Sequence, residues 1–207
     1  MPHIQNGCKF MIQSTERPEI KVQNIVAAFT LEKGLDLEKI RVSFAKECFF
    51  ETLQDKRYTF RVVALRIRKP RITLLVYRTG KVVCTGAKTI KDAKQSADYF
   101  INRLRKLGFT ATKKLEARIQ NIVATADLKI PVDMERILDC FHSEKQFRAM
   151  YEPEQFPAAI VRFPVTQGAI ATILLFSNGK VVCVGLTTLE QVNEAICQIN
   201  SKLEKLL

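Results

Sequence analysis

Histidine is nearly absent from this chain: among 207 residues only His3 and His142 occur. A His-centred catalytic triad or a His-rich metal site has little to draw on. Cys140 and His142 are close in sequence, but no second ligand pair with zinc spacing accompanies them. The six cysteines (Cys8, Cys48, Cys84, Cys140, Cys183 and Cys197) include no Cys-x-x-Cys pair. They read as buried free thiols of a reducing compartment, not as disulfides or zinc ligands. No glycine-rich phosphate loop and no nucleophile–base constellation is present, which argues against an enzyme and implies no cofactor. No apolar run reaches 18 residues, so no segment reads as a membrane-spanning helix. The start, Met1-Pro2-His3-Ile4-Gln5-Asn6-Gly7, lacks the basic stretch and apolar run of a secretory signal.

Acidic residues are also short in supply. There are 21 against 33 basic ones, a net charge of +12, and this balance points to a polyanionic partner. The excess is confined to one part of the chain. Residues 18–110 carry 20 Lys and Arg against 9 Asp and Glu, whereas residues 111–207 carry 11 of each. An electrostatic grip on phosphates must therefore come mostly from the first part.

What the chain does have is a copy of itself. Gln23-Asn24-Ile25-Val26-Ala27 recurs as Gln120-Asn121-Ile122-Val123-Ala124, and Gly80-Lys81-Val82-Val83-Cys84 recurs as Gly179-Lys180-Val181-Val182-Cys183. The offsets, 97 and 99 residues, make the copies nearly collinear. Two units of this length form one pseudo-symmetric pair and not a solenoid. The expected organisation is a short leader over 1–19, a first, basic repeat over 20–110 and a second, neutral repeat over 111–207. A built-in twofold suits a partner with an approximate twofold of its own, and duplex nucleic acid is the commonest.

Hydrophobic periodicity predicts the same element order in both copies. In the first, strands are expected over 22–30, 57–66, 72–77 and 82–85, with helices over 36–46 and 90–107, the last stopped by Gly108. In the second, strands are expected over 120–128, 158–162, 170–176 and 181–184. Helices are expected from Pro131 to Phe141, with the proline at the start, and over 189–206. The class is α+β, with an antiparallel sheet covered by helices on one face and open on the other.

Period-two alternation sorts residues onto the open face. Asn24 and Val26 share a face, as do Asn121 and Val123. Phe60 and Arg66 lie on one face, matched by Phe156 and Arg162. Leu75 and Tyr77 are matched by Leu174 and Phe176, and Val83 and Thr85 by Val182 and Val184. An asparagine at the same strand position in both copies is either a hydrogen-bonded residue at a sheet edge or part of a reading surface. Aromatics at strand ends, two per copy, suit exposed wedges. Together with basic residues at the rim, these features describe an apolar surface that enters a minor groove.

At this point the residues resemble the core domain of the TATA-binding protein family. The matching strings run from about Lys21 to the C-terminus. They are Gln23-Asn24-Ile25-Val26, Arg66-Ile67-Arg68-Lys69-Pro70-Arg71, Gly80 to Lys88, Lys106-Leu107-Gly108-Phe109, Ile119 to Val123, Tyr151-Glu152-Pro153-Glu154 and Gly179 to Val182. The resemblance implies a saddle: a curved ten-stranded antiparallel sheet, concave on promoter DNA, with four helices on the convex side. It implies that Asn24 and Asn121 bond base acceptors near the pseudodyad. Val26, Leu75, Val83 and Thr85, with Val123, Leu174 and Val182, are implied to line the groove. Phe60, Tyr77, Phe156 and Phe176 are implied wedges. Arg66, Lys81 and Lys88, with Arg162 and Lys180, are implied phosphate contacts. Tyr151, Glu152, Glu154 and Gln155 fall in the stirrup that docks transcription factor IIB. The helix bearing Lys91, Lys94, Arg103 and Arg105 resembles the convex surface that receives regulators such as transcription factor IIA. The implied setting is a nuclear preinitiation complex.

The departures are specific. Tyr77 replaces a phenylalanine wedge, Val184 stands where a threonine is expected, and Pro164 to Ala169 replaces the Lys-Pro-Arg turn. Seventeen residues separate Phe60 from Tyr77, and twenty separate Phe156 from Phe176. These changes fit a divergent relative of the principal TATA-binding protein. The alternative is a scaffold that binds factors IIA and IIB with little TATA recognition of its own. The bare apolar face also makes a self-dimer a reasonable expectation.

Overall fold

The computed structural model describes residues 18–31, 34–44, 62–109 and 116–206. Phe60, residues 1–17 of the leader, Lys46 and the start of the strand expected from residue 57 lie outside the described residues, as do Cys8 and Cys48.

Nine described strands form one antiparallel sheet. They are β1 (Lys21–Thr30), β2 (Val62–Ile67), β3 (Ile72–Tyr77), β4 (Lys81–Ala87), β5 (Arg118–Asp127), β6 (Arg148–Met150), β7 (Ala158–Pro164), β8 (Ile170–Phe176) and β9 (Lys180–Leu186). Their order across the sheet is β2-β3-β4-β1-β5-β9-β8-β7-β6. The two copies therefore run outward in opposite directions from a central β1–β5 pair. Four helices, α1 (Leu37–Phe44), α2 (Ile90–Lys106), α3 (Met134–His142) and α4 (Leu189–Glu204), pack on one side.

Alternation makes the sheet two-faced. From β1 and β5, Ile25, Ala27 and Phe29 and their counterparts Ile122, Ala124 and Ala126 point to the helices and are buried. From β4 and β9, Cys84 and Cys183 do the same. Burial pushes the Cys183 thiol up to about 12, and it raises Cys84 too, where a 3.1 Å contact with Ser96 Oγ acts the other way. The expectation of buried thiols fails for Cys197, which lies on the exposed side of α4, and Cys140 is half-buried.

Each long helix begins at a threonine. Thr89 Oγ1 accepts from Asp92 N at 3.0 Å. Thr188 and Gln191 form a reciprocal capping box, with Gln191 N donating to Thr188 Oγ1 at 3.2 Å and Thr188 N to Gln191 Oε1 at 3.3 Å. The stripe Ala93, Ala97, Phe100, Ile101 and Leu104 buries α2 against the sheet. Aromatic contacts anchor both halves: Phe44 to Phe100 at 5.8 Å, and Phe147 to Phe141 at 5.1 Å and to Phe163 at 5.0 Å. Removing one such ring costs about 3–5 kcal/mol.

Three expectations need correction. Pro131 does not open α3. The N-cap is Asp133, whose carboxylate accepts from Glu135 N and Arg136 N at 3.2 Å each, and a carboxylate at that position satisfies amides that a proline two residues upstream does not reach. The strand β6 went unpredicted because three residues carry too little periodicity to register. Strands β4 and β9 each extend through a glycine, Gly86 and Gly185, that alternation alone would take as the strand end.

Candidate nucleic-acid interface

The register of the two central strands sets the middle of the open face. Asn24 pairs with Val123, and Val26 with Asn121, a reciprocal arrangement about the pseudo-twofold. Between Ile25 and Ala27 the β1–β4 register shifts, and between Ile122 and Ala124 the β5–β9 register shifts in the same way. These are bulges, which bend a strand and leave a backbone group without its ladder partner. The asparagines supply it. Gly86 N donates to Asn24 Oδ1 at 2.7 Å, and Gly185 N donates to Asn121 Oδ1 at 2.8 Å. Both glycines have φ near +90°, the left-handed range that an L side chain rarely adopts.

A backbone N–H can only donate, so each carboxamide oxygen is fixed as the acceptor and the nitrogen is the atom left to donate. In the first copy Asn24 Nδ2 also donates to Thr85 Oγ1 at 3.2 Å. In the second, the residue equivalent to Thr85 is Val184 and supplies no acceptor.

Cross-strand register extends the pattern toward both edges. Ala64, Leu75 and Val83 form an apolar row in the first copy, and Ile160, Leu174 and Val182 form its counterpart. Beside it runs a second row: Arg66, Thr73 and Thr85 on one side, Arg162, Thr172 and Val184 on the other. Tyr77 and Phe176 end strands β3 and β8 and are half-buried. Phe156 is 40% exposed and stands 6.3 Å from the Phe176 ring, edge-on. The turn before it is fixed by Gln155 N and Phe156 N, which both donate to Glu152 O at 2.9 Å. Val26, Val83, Val123, Val182 and Val184 are half-buried for one reason: no described helix covers this face.

Lys81, Lys180, Arg66 and Arg162 are all exposed, but their settings differ. Lys81 lies opposite Thr30, whereas Lys180 lies opposite an acid, Asp127. Lys88 Nζ donates to Gln23 O at 2.6 Å, which fastens its ammonium to the start of β1.

Sequence reasoning missed two residues here. Arg148 pairs with Arg162, and Met150, 61% exposed, pairs with Ile160, so β6 adds a cation and an apolar side chain to the open face of the otherwise neutral copy. The Arg-Ala-Met alternation is too short to place them from sequence.

The remaining candidates lie elsewhere. Glu152, Glu154 and Gln155 are exposed on the turn after β6, and Tyr151 packs partly into the core. Lys91, Lys94 and Arg105 are exposed on α2, behind the sheet. Arg103 does not stand clear with them: its guanidinium lies 6.0 Å over the Phe44 ring. Lys202, its equivalent on α4, lies 5.5 Å over Phe147 and pairs with Glu144. Both are therefore packing cations as well as surface charges.

The turn that replaces Lys-Pro-Arg is tied to α4. Glu194 accepts from Thr166 Oγ1 at 2.7 Å and from Thr166 N at 3.1 Å. These bonds hold the Glu194 carboxyl below its usual range. The basic hairpin tip Arg68-Lys69-Pro70-Arg71 thus has an uncharged, anchored counterpart.

Fold and surface together define a two-lobed saddle protein, covered by helices on one side and, among the described residues, open on the other. The family described as "Transcription factor TFIID (or TATA-binding protein, TBP)" matches residues 19–107 and 116–206. The TATA-box-binding protein of Pyrobaculum aerophilum is 36% identical over 196 residues, covering 93% of this chain and 90% of its own. That of Methanothermobacter thermautotrophicus is 31% identical over 188 residues, covering 91% and 96%. The solved structure of "Methanococcus jannaschii TBP" superposes with a TM-score of 0.72 at 30% identity, covering 92% of this chain and all of the other. The chain belongs to the TATA-binding protein family; it is a transcription initiation factor and not an enzyme.

Proposed function

We propose that the open face binds promoter DNA in the minor groove and bends it. The observation that carries this reading is the pair of clamped asparagines, whose oxygens are taken up by glycine amides and whose nitrogens are left as donors, at the centre of an apolar sheet face that no described helix covers. The minor groove offers base acceptors at A·T pairs, which suit such donors. Phe156 and Phe176 act as a wedge pair in the second copy, with Phe60 and Tyr77 in the first. Arg66, Lys81, Lys88, Arg148, Arg162 and Lys180 contact phosphates at the rim.

Glu152, Glu154 and Gln155 dock a factor of the IIB type, and the exposed cations of α2 receive an acidic partner of the IIA type. The protein works in the compartment that holds the genome, nucleus or nucleoid. Without DNA, the apolar face pairs two copies. Sedimentation that finds only monomer at micromolar concentration would remove that last element.

The test is fluorescence-based bending of a short TATA duplex against a scrambled one, at two salt concentrations, with F156A and F176A beside the wild type. Selective binding with loss of bending in both variants is expected. Unchanged bending sinks the wedge assignment. A second reading, a scaffold with little TATA recognition, is favoured by the uncharged tip at Thr166 and by Val184. It predicts weak, unselective binding alone and intact capture of the IIB-type factor, lost on reversing Glu152 and Glu154.

A further inference from the structure

We infer that the second half of the open face grips the DNA backbone by its edge strand, through Arg148 and Arg162, and not by the tip of the β7–β8 hairpin. The first half uses the tip of its β2–β3 hairpin. The outer phosphates held by the two halves are therefore not related by the pseudo-twofold. The inference rests on the minor-groove reading above and names the backbone contacts of that same surface.

The two hairpins differ in length and in chemistry. In the first, strand pairing stops at Ile67 opposite Ile72, and the tip that follows, Arg68-Lys69-Pro70-Arg71, is exposed and carries three cations. In the second, the equivalent pair is Phe163 opposite Ala171, and pairing runs one step further, to Pro164 opposite Ile170. Alternation puts this extra pair on the open face beside Arg162 and Thr172. Pro164 stands in the place of Arg68, and Ile170, 53% exposed, in the place of Arg71. From Phe163 to Gly179 the chain has no lysine or arginine. The turn itself is tied back to α4: Gln191 Nε2 donates to Thr166 O at 3.3 Å, alongside the two bonds from Thr166 to Glu194. An apolar end fastened to the helical side offers no charge to a phosphate.

The missing charge reappears at the sheet edge. Arg148 of β6 lies directly opposite Arg162 of β7. Their chain neighbours Ala149 and Val161 are buried toward the helices, so both arginines stand on the open face. Like charges placed opposite one another are unfavourable, and an anion beside both relieves the cost. Among the described residues neither arginine has an ion pair or a side-chain hydrogen bond. The short strand that carries Arg148 is held twice. It pairs with β7, and His142 Nε2 donates to Ala149 O at 3.1 Å, since a carbonyl can only accept. The first copy has no such cation: at the 96-residue offset that relates Phe60 to Phe156, Thr52 takes the place of Arg148. Relative to the hairpin end, the arginine pair lies two residues back along β7, and Arg148 one strand further out, shifts of about 7 Å and about 5 Å. Successive phosphates of one DNA strand advance about 3.4 Å along the axis, so these shifts change which phosphate is met.

The test uses a palindromic TATA duplex in which uncharged methylphosphonates replace phosphates as dyad-related pairs, one pair per duplex, scanned along the backbone. Pairing makes the orientation of the protein immaterial. The readout is the slope of log affinity against log salt. A phosphate held by one half alone should lower that slope by about 1 when its pair is neutralised, and one held by both halves by about 2. Two separate positions with a loss of about 1 are expected, one silenced in R71A and the other in R148A. I170R, which returns a cation to the second tip, should deepen the loss at the first of them to about 2. A single position at which R71A and R148A each remove half of a loss of about 2 would mean that the halves grip alike, and it overturns the inference alone. A slope lowered by R71A but not by R148A does the same. Slopes left unchanged by R71A, R148A and R162A, with the duplex still bound, put DNA off the open face and overturn the minor-groove reading too. Failure to bind the unmodified duplex at low salt also overturns both.

Discussion

Ile25 and Ile122 face each other across the β1–β5 junction, and each holds the equivalent place in its own copy, so the pseudo-twofold passes between them. Both are buried, at 1% and 0% exposure. I25A and I122A should each lose about 2–5 kcal/mol of stability. Because the residues are direct neighbours, the double variant should depart from additivity by about 0.5–3 kcal/mol. Urea unfolding of the four proteins measures both quantities. Strict additivity would mean the two cavities do not communicate.

The bulge glycines should not be equally sensitive. A Cβ on Gly86 would stand 2.8 Å from Arg71 O, and one on Gly185 would stand 3.3 Å from Ile170 O. Both alanine variants pay about 1–2 kcal/mol for the left-handed backbone. G86A should then lose more, since its backbone contact is the closer of the two. Equal melting temperatures for the two variants would show that φ alone decides.

Glu194 sets a pH dependence. Its carboxyl is held below the usual range by Thr166, so the folded state binds its proton less readily than the unfolded state. The resulting stability is present above the ordinary carboxylate pKa and is lost as pH falls through the lower, folded value. E194Q should be less stable than wild type near neutral pH, and the gap should close in acid. A gap that persists at pH 3 would assign the effect to packing instead of charge.

Arg148 and Arg162 can be tested by salt titration. If both reach phosphates, R148A and R162A should each lower the slope of log affinity against log salt by about 1. Lys91→Ala on the helical side should leave the slope as it was. An unchanged slope in R148A would put β6 off the DNA path.

The sequence made the architecture legible because each signal appears twice. Asn24 and Asn121 drew notice as polar residues in apolar strands, yet their clamp on Gly86 and Gly185 depends on a register shift between strands some sixty residues apart, which no local pattern encodes. Local pattern also misread Pro131, since the competing cap at Asp133 is satisfied by backbone amides that only the folded turn presents. Arg103 read as a surface charge because a long side chain on a helix flank gives no sign that Phe44 lies beneath it. Phe60 falls outside the described residues.

The pairing of β1 with β5 runs from Lys21 opposite Thr125 to Ala28 opposite Arg118. The halves are thus joined by a ladder and not by a hinge, and they share one buried cluster beneath it. If that joint keeps the open face in one shape, a guest settling into it would have to do the yielding, and the proposed choice among DNA sites would become a choice among flexibilities.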